Sequence, residues 1–130
     1  MTATATPSTI TIANELVNLC RQGRNDDAID RFYSRDIVSV ESVGTPEMPI
    51  EIKGIDAVKK KNDWWTENNE VHVVQVNGPF VGDDQFAVQY TFDTTFKPTG
   101  QRTQMSEMAL YQVKDGKIVY EQFFYHIPGA

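Results

Sequence analysis

From Glu70 onward the chain consists almost wholly of strand-like segments, and that run limits the fold more than any other feature. VHVVQVNGPFV, QFAVQYTFDTTFK, QRTQMSEMALYQV and KIVYEQFFYHI follow one another, separated by Gly82-Asp83-Asp84, Pro98-Thr99-Gly100 and Lys114-Asp115-Gly116. Strand-forming residues punctuated by Gly, Asp and Pro make long antiparallel strands joined by hairpin turns. A sheet with an apolar face has to be covered, so something earlier in the chain must lie on it.

The first seventy residues supply that cover. Ile10, Ala13, Leu16, Val17 and Cys20 recur at helical spacing, and Gly23 stands where a left-handed residue would end the helix. Asn25 or Asp26 can cap a second helix with Ala28, Ile29, Phe32 and Tyr33 on its inner face. Ile37 to Val43 reads as a strand, TPEMP as a loop, and IDAVKKKNDWWTENN as a third helix with Ile55, Val58, Asn62 and Trp65 on one stripe. The order is ααβα followed by four antiparallel strands, an α+β sheet with helices on one face. Residues 1–9, small and polar, are expected to be a flexible tail, and residues 10–130 a single domain of a size that one core can hold.

Charge and cysteine usage narrow the partners. The formal net charge is −6, and the one basic run, Lys59-Lys60-Lys61, is flanked by Asp56, Asp63 and Glu67, which argues against nucleic acid. No window approaches the roughly 20 apolar residues that span a bilayer, so no membrane association is expected. The lone Cys20 excludes an internal disulfide and fits a cytoplasmic protein. His72 and His126 are far apart and neither belongs to a metal-binding spacing, so no metal and no cofactor are expected.

The element order, together with GRNDDAIDRFYSRDIVSVES, the loop-to-helix stretch IKGIDAVKKK and the ending YQVKDGKIVYEQFFYHI, resembles the SnoaL-like branch of the nuclear-transport-factor-2-like (cystatin-like) superfamily. The resemblance covers nearly all of the chain after Ile10. It implies a curved, mostly antiparallel sheet wrapped around three N-terminal helices, a cone with an internal apolar pocket, often as a homodimer packed through the convex sheet face. This fold hosts isomerases, epoxide hydrolases, cyclases, dehydratases and binding modules without chemistry, so the site has to decide the function. The positions that carry the ketosteroid isomerase residues fall near Leu16, Ser42 and Ala109, and those of the limonene epoxide hydrolases near Tyr90, Phe92 and Phe123. None of these residues matches, so neither chemistry is expected.

A hairpin pairing Phe96 with Gln101 sets Tyr90 opposite Glu107, Phe92 opposite Met105 and Val88 opposite Ala109. If Gly116 closes the next turn as a one-residue bulge, Val113 pairs with Lys117 and Ala109 with Glu121, so that Glu107 and Glu121 share a face at about one diagonal spacing, 7–8 Å or less. A plain two-residue Asp-Gly turn would put Gln122 and Phe124 there instead. The resemblance, which puts odd-numbered residues of the last strand in the pocket, favours the bulged form. Glu107 and Glu121 are then candidate acid–base groups, with Glu41 a weaker third, because carboxylates gathered in an apolar cavity resist joint ionisation and at least one holds its proton near neutral pH. Lys61 on the third helix, or a bound cation, could instead neutralise them. Tyr90, Phe92, Met105, Phe123, Tyr125 and Trp65 are the candidate ligand-binding residues, with Trp64 or Trp65 at the mouth.

Two readings follow. One is a pocket protein that binds a small apolar or aromatic molecule, with isomerase-, cyclase- or dehydratase-like proton transfer; the other is a non-catalytic homodimeric module whose pocket is filled by side chains. A cavity of about 300 Å³ or more, entered by Glu side chains, separates the first from the second. A homodimer is expected through Met108, Leu110 and Phe124 on the outer sheet face.

Overall fold

Ser8 starts the fold. In the computed structural model, which describes residues 6–126, its Oγ accepts the Thr11 N–H (3.3 Å) and so caps α1 (Thr9–Arg21). The helix therefore begins inside the stretch expected to be a tail, of which residues 1–5 lie outside the described residues. At its other end the Arg24 N–H reaches Leu19 O (2.8 Å) and the Gly23 N–H reaches Cys20 O (3.1 Å), with Gly23 at φ 72°, the left-handed stop anticipated from the sequence. The buried stripe runs Ile12, Ala13, Leu16, Val17, Leu19 and Cys20. Ile10, expected inside, is 56% exposed, because the stripe begins one half-turn later at Ile12.

α2 (Asn25–Phe32) is preceded by Arg24 rather than capped by Asn25 or Asp26, and Asp26 and Asp27 occupy the first turn, where they meet the helix dipole. The helix stops at Phe32. Tyr33, expected on its inner face, already belongs to β1 (Tyr33–Val40), which starts four residues ahead of the expected strand. β2 (Glu51–Lys53) is a short edge strand read from the sequence only as loop; it pairs antiparallel with β1 through Val38 and Lys53. Gly54 at φ 94° turns the chain into α3 (Ile55–Asn68). β3 (Asn69–Val81), β4 (Gln85–Phe96), β5 (Gln101–Lys114) and β6 (Lys117–Phe124) complete one six-stranded sheet in the order β2-β1-β6-β5-β4-β3. Only β1 and β6 run parallel. The result is α+β: an open, curved, mixed sheet that is mostly antiparallel, wrapped around three helices, with α1 lying over β3 and β4 and α3 against β1. No helix among the described residues is long and apolar enough to cross a membrane.

The β4–β5 register is the one derived from the sequence, Phe96 with Gln101 through Tyr90 with Glu107 to Val88 with Ala109. The β5–β6 register is not. Asp115 (φ 53°) and Gly116 (φ 75°) form a plain two-residue turn that pairs Lys114 with Lys117. A bulge then follows inside the strand: between Ile118 and Tyr120 one extra residue, Val119, is inserted opposite the step from Val113 to Gln112. The bulge restores the odd-numbered residues of β6 to the inner face, but together with the plain turn it leaves the pairing two positions from the expected one. Glu121 lies opposite Tyr111 and Phe123 opposite Ala109. Glu107 and Glu121 share the inner face as expected, yet Glu107 is four residues along β5 from the partner of Glu121, so the expected diagonal pairing is overturned.

The inner face buries Phe86, Val88, Tyr90, Ala109, Tyr111 and Ile118 against the α1 stripe. On the outer face Met108 and Phe124 are exposed and Leu110 is half-buried.

Candidate active site

The row Ile37, Ser39, Glu41 leaves β1 on its inner side. Ile37 and Ser39 are wholly buried, and Glu41 follows at the end of the strand, where its N–H bonds Ile50 O (2.9 Å). β6 lies parallel beside it with Ser39 paired to Glu121. That pairing sets a hydroxyl beside a carboxylate: Ser39 Oγ donates to Glu121 Oε1 (2.8 Å), and Tyr33 Oη, from the first residue of β1, donates to Oε2. Lys61 reaches down from α3, donating from Nζ to Ser39 Oγ (2.6 Å) and lying 3.5 Å from Glu41 Oε2. The same ammonium sits 5.3 Å from the centre of the Phe123 ring. Tyr125 Oη donates to Glu41 Oε1 (3.4 Å). Tyr33, Glu121, Ser39, Lys61, Glu41 and Tyr125 thus form one connected chain of polar groups at the back of the cone.

In front of that chain is a chamber of about 140 Å³, and Glu41, Glu107 and Glu121 all reach it. Trp65, Phe92, Met105, Tyr90, Tyr111 and Phe123 form its apolar wall, with Trp65 5.4 Å from Phe92 and Tyr90 stacked on Phe92 at 5.8 Å. Tyr90 and Tyr111 share a hydroxyl hydrogen bond of 2.8 Å. A second compartment of about 220 Å³ adjoins the chamber through Cys20, Asn25, Trp65, Tyr90 and Phe92 and adds Asp26, Thr66 and Val74. The chamber itself is less than half of the roughly 300 Å³ set above as the separating volume. It is entered by carboxyl groups all the same.

The three carboxyl groups differ in their surroundings. Glu121 is 2% exposed; burial pushes it up, while the Lys61 ammonium and the Tyr33 and Ser39 hydroxyls hold it down. Both of its oxygens are engaged. Half-buried Glu107 takes no hydrogen bond from a described side chain; burial, then Glu41 and Glu121, push it up to about 8, and Lys61 only partly opposes them. Glu41 is ion-paired with Lys61. Burial and the carboxylate neighbours hold the Tyr33 and Tyr111 hydroxyls well above the usual phenol range, and burial with Glu41 pushes Tyr125 up to about 12. These phenols act as donors and not as bases.

All the sequence-derived candidates but one line the chamber: Glu121 is deeper than expected and fully engaged, and Tyr125 does not line it, touching it only through its hydrogen bond to Glu41. Trp64 is 47% exposed and packs on Phe96, leaving Trp65 at the chamber. His72 is exposed and bonds Thr95 Oγ1 (2.7 Å), and His126 is exposed. Sequence reasoning missed Ser39 and Tyr33 as partners of Glu121. The signal for Ser39 was present, a hydroxyl in the inward row of Ile37 and Glu41. Among the described residues no group of three His, Cys, Asp or Glu is arranged to hold a metal ion.

A family model for the SnoaL-like domain matches residues 7–125. A solved structure from Mesorhizobium loti, provisionally named a SnoaL-like polyketide cyclase with carbohydrate phosphatase in brackets, is 41% identical with a TM-score of 0.86, covering 92% of this chain and 100% of its own. A cystatin-like-fold protein of unknown function from Xanthomonas campestris matches at 18% identity and a TM-score of 0.77, covering 93% and 92% of the two chains. An NTF2-like protein from Anabaena variabilis matches at 13% and 0.75, covering 99% and 97%. These two likenesses are of fold. No curated protein matches significantly.

Proposed function

The chain belongs to the SnoaL-like domain family, and from that premise we propose that it binds a small apolar or aromatic molecule and moves a proton on it, in isomerase- or cyclase-like chemistry. The observation that carries this reading is Glu107, a carboxyl group facing an aromatic-walled chamber with no hydrogen bond from a described side chain and pushed up to about 8. Such a group is mostly protonated at pH 7 and exchanges its proton readily near neutrality. In its ionised form it takes a proton from a ligand carbon. The electron pair left behind moves onto the ligand oxygen, where the Lys61 ammonium stabilises it, and Glu107 returns the proton at a different atom. Glu121, with both oxygens engaged, positions Lys61 through Ser39. The provisional name of the Mesorhizobium loti relative, a polyketide cyclase, is in keeping with this class of reaction.

Deuterium exchange tests the reading. With cyclohexanone and 2-tetralone as probes in D₂O, exchange at the carbons beside the carbonyl, followed by proton NMR, should exceed the buffer rate. Exchange at the buffer rate for both would sink the catalytic reading and leave the non-catalytic module, which the modest chamber volume favours. In either case we propose a cytoplasmic homodimer packed through Met108, Leu110 and Phe124, since two of these large apolar side chains are otherwise exposed on one sheet face. Sedimentation at micromolar concentration should give twice the chain mass, and Phe124→Lys should halve it; a monomeric native protein would reject the interface.

A further inference from the structure

Glu41 Oε2 is buried and has no hydrogen-bond partner among the described residues, even with Lys61 Nζ at ion-pair distance. A buried acceptor left without a donor is costly, and native structures rarely keep one without a reason. Its sister oxygen already takes the Tyr125 hydroxyl (3.4 Å). Lys61 carries three N–H groups, of which one goes to Ser39 (2.6 Å). An unmet acceptor and an ammonium with donors to spare therefore stand side by side at the chamber. A hydroxyl answers both, giving its proton to Oε2 and taking an N–H on its own oxygen. A carbonyl takes an N–H from Lys61 but leaves Oε2 unmet until it becomes an enol, whose hydroxyl satisfies both, and a carboxylate meets repulsion from Glu41.

The surroundings define what carries the hydroxyl. Phe123 lies beside the ammonium, and Trp65, Phe92 and Tyr90 line the wall, surfaces suited to a flat ring. The chamber, about 140 Å³, is close to the roughly 150 Å³ of an engineered cavity that binds benzene. We propose that Glu41 and Lys61 are a specificity-determining pair that reads the hydroxyl of a single phenolic ring seated in this chamber. The proposal rests on the ligand-binding reading above and narrows it to a neutral hydroxylated ring, with any larger remainder of the molecule extending into the adjoining compartment.

p-Cresol and p-xylene have nearly the same shape and differ by hydroxyl against methyl, so they isolate the contact. Titration of the native protein with each, followed through the Trp65 indole N–H by NMR, should show p-cresol binding at least about tenfold tighter, the scale of one charge-assisted hydrogen bond. In Glu41→Leu the preference should vanish or turn toward p-xylene. Because that variant strands Lys61, the double variant Glu41→Leu/Lys61→Met is the second arm; replacing a paired charge by apolar groups of similar volume is commonly tolerated. Equal affinities in the native protein, or a p-cresol preference that survives in either variant, would overturn the proposal while leaving a ring-binding pocket in place. Binding of neither compound would overturn the pocket reading along with it.

Discussion

Replacing Glu107 with Gln is expected to cut proton transfer by about 10²–10⁴-fold, the usual contribution of a positioned acid–base group, while making the protein more stable in mild alkali. The two effects have one origin. A carboxyl group raised from 4.5 to about 8 by burial and by Glu41 and Glu121 binds its proton more tightly in the folded chain than in the unfolded one. Between pH 4.5 and about 8 the folded state then holds more protons, so stability falls as pH rises through that window and levels off above it. With Glu107 half-buried, the loss is expected to be on the order of 2 kcal/mol between pH 5 and pH 9, well below what the full shift would imply. Glutamine cannot ionise and should flatten this slope. Native activity should rise through about pH 8 as the base form appears. Urea unfolding at pH 5 and pH 9, with exchange rates over the same range, checks both. A native protein equally stable at the two pH values would show that Glu107 is not held in its raised state.

Several features of this site were legible because strand alternation is strict. The turn at Lys97–Gly100 fixed the β4–β5 register and with it the inward row Tyr90, Phe92, Met105, Glu107. The next hairpin misled because the sequence marks where a turn is and not where a bulge is. Asp115-Gly116 forms the plain turn its residues favour, and the extra residue sits three positions later at Val119, where no Gly, Pro or Asn signals it. Two offsets of opposite effect on the facing left Glu121 on the expected side with the wrong partner. Tyr33 was misread for a different reason. It continues the helical spacing of Ala28, Ile29 and Phe32, and only the parallel pairing with Ile118, a contact between residues far apart in the chain, draws it into the sheet. The resemblance supplied the cone, but the partners of Glu121 come from a β1–β6 pairing that no local pattern encodes.

Because that pairing places two hydroxyls on one buried carboxylate, Glu121→Ala is expected to be among the most destabilising single changes in the chain, at about 3–5 kcal/mol in urea unfolding at pH 7. The cost has three parts. Tyr33 Oη and Ser39 Oγ lose their acceptor in a buried setting, the Lys61 ammonium loses a nearby negative charge, and the missing side-chain atoms leave a void opposite Tyr111. Glu121→Gln should cost much less, about 1–2 kcal/mol, since its amide oxygen still accepts one hydroxyl and its shape is nearly unchanged. The glutamine variant also separates positioning from catalysis. With both oxygens of Glu121 engaged inside the protein, Glu121→Gln should retain most of the proton transfer that Glu107→Gln abolishes, and alter chiefly its pH profile through Lys61. If Glu121→Ala unfolds within 1 kcal/mol of the native protein, the hydrogen-bonded chain does not hold the site together. If Glu121→Gln is as inactive as Glu107→Gln, the deeper carboxyl group is itself the one that meets the ligand.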